Sequence, residues 1–166
     1  MIIILKNKER LICGDFDFKC VIGKGGKIKN KKEGDKKTPK GTFSLGNLFY
    51  RSDKKKKPET KLKCTKISKN MGWCDDPTSK KKYNKLININ RKTNLRFEKL
   101  FRKNSIYDYL IPINYNTKKC KMGKGSAIFI HLTKNFKKTL GCIALQEKDF
   151  LILVKLINRN TKIRII

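Results

Sequence analysis

Gly125-Ser-Ala-Ile-Phe-Ile-His131, a polar stretch over residues 132–138, and then Thr139-Leu-Gly-Cys-Ile-Ala144 form the part of this sequence on which its fold turns. The run from Ser126 to His131 is rich in β-branched and aromatic residues and follows a glycine. It is too short for a helix, so it predicts a strand with His131 at its end. Cys142 returns after a loop, and the expected geometry is a pair of antiparallel neighbours about 4.8 Å apart that brings His131 to Cys142. A cysteine becomes a nucleophile only when a base or a local field converts thiol to thiolate. His131 is the single histidine of the chain. Gly141 permits close backbone approach beside Cys142, so amides near it can turn toward a developing oxyanion. Periodicity alone leaves a second reading open, with His131 a satisfied strand-end residue and Cys142 a core thiol.

Outward from this stretch, short β-prone runs dominate: residues 2–5, 16–22, 42–49, 86–89 and 107–113, and a last strand over 161–166. Gly, Asn, Asp or Pro bound them. Pro112 predicts that the 107–113 run lies at a sheet edge or ends at a bulge. Two segments have helical spacing. Residues 94–103 place Leu95, Phe97, Leu100 and Phe101 on one side, and residues 146–157 place Phe150, Leu153, Val154 and Ile157 at i, i+3, i+4 and i+7. Glu147 and Asp149 stand in the first turn of the second segment, where the helix dipole favours them. Residues 24–40 and 52–61 predict ordered loops. The expected fold is mainly β: one domain over residues 1–166, a mixed-sheet sandwich or barrel with one or two short helices.

With 43 Lys+Arg against 13 Asp+Glu the formal net charge is +30. Such a chain attracts polyanions non-specifically, with an affinity that fades as salt rises. Lysine is spread along nearly the whole sequence, and the runs 54–57 and 80–82 contain no aromatics, which favours a solvated basic surface over a nucleic-acid reader. No apolar stretch approaches the ~18 residues of a membrane-spanning helix, and no signal peptide is visible, so the sequence predicts a cytoplasmic protein. The cysteines at 13, 20, 64, 74, 120 and 142 match no zinc spacing and are expected to be reduced thiols. Gly23-Lys-Gly-Gly26 lacks the spacing of a phosphate-binding loop and predicts a turn. No metal or organic cofactor is expected, and the chain is expected to be a monomer.

The Gly125–His131 run with Thr139-x-Gly-Cys142 resembles the active-site signature of the L,D-transpeptidase catalytic domain, the YkuD family. Glu33-Gly-Asp-Lys-Lys-Thr-Pro-Lys-Gly-Thr-Phe43 is similar to that family's T-P-x-G-x-F element. Gly72-Trp-Cys-Asp-Asp-Pro77 with Tyr83-Asn84, and Tyr107-Asp108 with Tyr115-Asn116, resemble a divergent sub-branch. The elements arrive in family order over about residues 20–165. The resemblance implies Cys142 as nucleophile, His131 as general base and acid, and Gly141 beside the oxyanion. It implies a thioester formed on a peptidoglycan stem peptide and passed to an amine or to water, as transpeptidase or carboxypeptidase, in the cell envelope. Thr139, Trp73, Asp75, Asp76 and Ser126 are substrate-binding candidates; the acids can grip a stem-peptide amine, or the 73–77 segment is a structural turn. Many family members read Ser/Thr-His-Gly-Cys-x-Arg, whereas this chain has Leu140 and Ala144 at the His and Arg positions. The competing function class is a non-catalytic basic module that holds a polyanion, either nucleic acid or cell-wall polymer.

Overall fold

The structure is a computed structural model that describes residues 1–6 and 9–166. Its main body is a ten-stranded sheet. In chain order its strands are β1 (Ile2–Leu5), β2 (Arg10–Cys13), β3 (Phe16–Val21), β6 (Gly41–Ser44), β7 (Leu48–Tyr50), β8 (Cys64–Lys66), β12 (Tyr109–Pro112), β13 (Phe129–Leu132), β14 (Ile143–Leu145) and β15 (Lys162–Ile165). Their spatial order is β6-β15-β1-β2-β3-β14-β13-β12-β7-β8. A three-stranded sheet, β10-β9-β11, comprises Met71–Cys74 (β9), Leu86–Asn88 (β10) and Phe97–Lys99 (β11). Lys27–Ile28 (β4) and Thr38–Pro39 (β5) form a two-residue parallel ladder inside the 24–40 loop. One helix among the described residues, α1 (Glu147–Leu156), follows β14. The mainly-β expectation therefore holds. Among the described residues no helix is long and apolar enough to cross a membrane.

The large sheet curls around one core. Its edge strand β6 returns to the middle of the sheet: Leu45 bridges Ile113, Gly46 N–H donates to the Pro112 carbonyl, and Asn114 N–H donates to the Ser44 carbonyl. Inside the curl lie Ile111, Ile130, Leu132, Ile143 and Leu145, packed with Phe150, Leu153 and Val154 of α1. On the other face, Leu110, Phe129 and Cys142 pack with Trp73 and Met71 of the small sheet. Strands covered on both faces have no polar side to expose, which is why β13 shows no apolar–polar alternation; it starts at Phe129 rather than Ser126, because Ala127 has φ +51°.

Three expectations are corrected. The 94–103 segment is not a helix but a turn leading into β11, antiparallel to β9 with Glu98 opposite Trp73. Its Leu, Arg, Lys and Glu residues are good helix formers, but an apolar run this short carries no decisive period, and tertiary pairing with β9 overrides propensity. The 42–49 run is two strands, β6 and β7, parted at Gly46, which packs on the Pro112 ring. The strand carrying Pro112 is interior, between β7 and β13. Proline is tolerated because it is the last residue of that strand and its carbonyl still accepts from Gly46. The lysines at 52–57 and 80–82 are exposed apart from half-buried Lys55, and all six cysteines are free thiols.

Candidate active site

β13 and β14 are parallel neighbours, not antiparallel ones, with Ile130 opposite Ile143 and His131 opposite Ala144. The chain leaves β13, crosses back over residues 133–142 and re-enters beside it. A four-residue strand spans only ~13 Å, and ten residues can reach ~33 Å, so the crossover needs no helix. Continuing the register backwards sets Cys142 level with Phe129. Cys142 and His131 then share one sheet face as diagonal neighbours, within reach of longer side chains.

Both line a cavity of about 890 Å³, together with Gly141, Thr139, Ser126, Ala127, Tyr107 and Asp75. The Cys142 thiol donates to the Ala127 carbonyl at 3.3 Å, and Phe129 N–H points at the sulfur, also at 3.3 Å. Ala127 holds φ +51°, a left-handed conformation that costs an L-residue energy and occurs here at the hydrogen-bond partner of the Cys142 thiol. His131 Nδ1 is 2.9 Å from the Leu132 carbonyl oxygen. A carbonyl can only accept, so Nδ1 carries the proton and Nε2 is the basic nitrogen. The edge of the Tyr107 ring packs on the imidazole, 5.3 Å between centroids.

Burial pushes the Cys142 thiol up to about 12; nearby Glu98 adds to this, while Phe129 N–H, Lys31 and Arg102 oppose it. Burial also lowers His131 to about 4, with its Leu132 hydrogen bond opposing and Arg102 assisting. At neutral pH the resting pair is therefore thiol and imidazole. The same shifts bear on stability. Between about pH 6.5 and 4 the unfolded chain protonates its histidine while the folded chain does not, so stability falls with falling pH by up to roughly 3 kcal/mol. Above about pH 9 the unfolded thiol ionises while Cys142 stays protonated, so stability also falls as pH rises. Denaturant midpoints measured from pH 4 to 7 should show this acid limb in the wild type and a flatter one in His131→Asn. Equal slopes would show that His131 is not buried in its neutral form.

The expected site residues are partly assembled. Thr139 Oγ1 donates to the Cys142 carbonyl at 2.6 Å and accepts Gly141 N–H at 3.1 Å. That amide, expected to face an oxyanion, is already used. Ser126 Oγ donates to Glu33 at 2.7 Å, and the Tyr83 hydroxyl donates to the same carboxylate. Asp75 lines the cavity and pairs with Arg96 at 3.1 Å. Trp73 and Asp76 are not brought into the cavity lining. Trp73 packs edge-on to Phe129 and its indole N–H donates to Asn84 at 2.9 Å. Asp76 accepts from Thr78 N–H and hydroxyl and from Arg96 N–H, closing a turn. Lys134, Lys137 and Lys138 stay exposed at the rim; the cations that act on the thiol are Lys31 and Arg102. Sequence reasoning missed Lys31, Glu98, Arg102 and Tyr107 as site residues. Tyr107 donates to Glu98, and Arg102 donates to the same carboxylate at 2.8 Å while lying over the Tyr107 ring. The only sequence signal for this group was Tyr107-Asp108; the other three lie in loop-like lysine-rich or misassigned segments.

The model of the L,D-transpeptidase catalytic domain (YkuD) matches residues 2–165. Among solved structures, the chain resembles the helical cell shape determining protein Pgp2 from Campylobacter jejuni, with a TM-score of 0.52 at 21% identity. The likeness covers 99% of this chain and 46% of that one, so the chain spans less than half of that protein's length. At this identity the likeness speaks for the fold alone. The comparison with curated proteins gives no match.

Proposed function

The chain belongs to the L,D-transpeptidase catalytic-domain family, and from that premise we propose that it is a cysteine acyl-transferase acting on peptidoglycan stem peptides in the cell envelope. The observation that carries this reading is one sheet face presenting Cys142 and a neutral, oriented His131 to an open cavity. In the proposed reaction the thiol proton passes to His131 Nε2 as sulfur attacks a stem-peptide carbonyl. The leaving amine takes that proton back, and the thioester is resolved by a second stem's amine or by water. Residues 1–166 act as one catalytic unit and need no cofactor. The two positions that depart from the commoner family pattern lie at the same cavity: Leu140 is 68% exposed on its rim, and Ala144 is buried opposite His131. A small residue at 144 widens the floor beside the histidine.

Intact-protein mass spectrometry after incubation with a carbapenem tests the reading. One stable acyl adduct should form on the wild type and be missing in Cys142→Ser. A wild type left unmodified by both carbapenem and stem peptide would instead favour the basic polyanion-binding module.

A further inference from the structure

Lys31 is the one buried lysine among the described residues, 3% exposed where the other described lysines are exposed or half-buried. Burying an ammonium is costly unless it is paired, and a lysine on a surface loop has an easy alternative in water. Here it is held inward. Its Nζ pairs with Asp35 at 2.5 Å, and Asp35 is itself fixed by Lys32 N–H and Lys37 N–H, each at 2.9 Å. Its methylenes cover Gly125, where a Cβ would stand 2.8 Å from Lys31 Cε. Its Nζ lies 3.6 Å from the point where a side chain at Gly141 would begin. Both glycines have positive φ, +98° and +143°, which side chains rarely adopt, and a Cβ at Gly125 would displace the Lys31 methylenes, so the backbone leaves the lysine this space. It thus reaches the cavity wall next to Cys142, where the Gly141 amide is already occupied by Thr139.

We propose that Lys31 is a catalytic residue of this site: its ammonium, anchored by Asp35, receives the negative charge that develops on the carbonyl oxygen when Cys142 attacks. This rests on Cys142 being the nucleophile of the function proposed above. In the step, the sulfur lone pair forms the C–S bond, the carbonyl π pair moves to oxygen, and the thiol proton goes to His131. On collapse the oxygen pair restores C=O, and the bond to the leaving group breaks with its electron pair on that group. A fixed charge in a water-poor site stabilises such an oxyanion without having to reorganise. Cys142 is also the thiol on which Lys31 opposes the effect of burial.

Two reagents separate this role from a general effect on the thiol. Acylation of Cys142 by p-nitrophenyl acetate passes through an oxyanion, whereas alkylation by iodoacetamide does not; both are followed by mass mapping at Cys142. Lys31→Met should slow acylation by about 10²-fold or more, the cost of one oxyanion donor, and alkylation only a few-fold. The double variant Lys31→Met/Asp35→Asn, which leaves no orphaned carboxylate, should be as slow in acylation as the single one. Equal losses in both reactions, no loss in either, or recovery in the double variant would overturn the proposal. So would a loss confined to the anionic carbapenem, which would make Lys31 a carboxylate anchor, or a wild-type Cys142 inert to the ester. A Lys31-dependent reaction with the ester, without any reaction with carbapenem or stem peptide, would sink the peptidoglycan reading and leave Lys31 standing.

Discussion

His131→Ala is expected to slow carbapenem acylation of Cys142 by about 10²- to 10⁴-fold, the usual worth of a positioned general base, while leaving the folded state populated. The thiol is pushed up to about 12, so at pH 7 only roughly 10⁻⁵ of the molecules carry a free thiolate. Without a base in contact, attack must draw on that fraction. Nε2 is the nitrogen able to take the proton, because Nδ1 is committed to the Leu132 carbonyl. The pH profile separates the two routes. In the wild type the base is already neutral above about pH 4, so its rate should vary little from pH 6 to 9. In His131→Ala the residual rate should climb about tenfold per pH unit, following the thiolate. Equal rates in variant and wild type across that range would remove His131 as the base.

Phe129→Ala should cost about 3–5 kcal/mol of stability, the range for emptying a fully buried aromatic site. Phe129 is 0% exposed and is the hinge between the two sheets: Trp73 meets its ring edge-on at 5.2 Å and Tyr107 at 5.7 Å. Trp73 belongs to the small sheet, and Tyr107 lies just before β12, so neither can collapse into the void without breaking strand pairing. The same residue's N–H points at the Cys142 sulfur, which ties this packing to the site. Denaturant midpoints compared with Phe16→Ala, a 43% exposed control, would measure the effect. A loss below about 1 kcal/mol, typical of a surface position, would show that the two sheets do not share this core.

Much of the fold was legible because it is local. Residues 146–157 carry a full helical period and an acidic first turn, and α1 forms at Glu147–Leu156 with Phe150, Leu153 and Val154 buried. The Gln146 side chain makes no cap, so that helix is held by its packed face and dipole instead. The 94–103 segment shares the apolar types Leu and Phe but has no such period beyond one turn, and the neighbour it pairs with, β9, lies more than twenty positions away. Its misreading and the loss of Glu98 from the expected site are one error, since in a strand Glu98 stands on the cavity side.

The sequence by itself determined the strand that carries the lone histidine, the glycine-cysteine pair that returns beside it, the closing helix and the final strand β15. Each rests on residues near one another in the chain: β-branched runs, a helical period, and glycines where backbone must pass closely. Only the tertiary structure decided that β13 and β14 run parallel, that Lys31 and not Lys134, Lys137 or Lys138 stands by the thiol, and that Thr139 occupies the Gly141 amide. Thr38 shows why: its hydroxyl donates at 2.8 Å to the Gly141 carbonyl, 103 residues along the chain, while accepting Gly23 N–H at 3.0 Å. A contact of that span has no energy in any short window of sequence. It exists only once the sheet has closed and brought the 24–40 loop, with Lys31 on it, to Gly141 and Cys142.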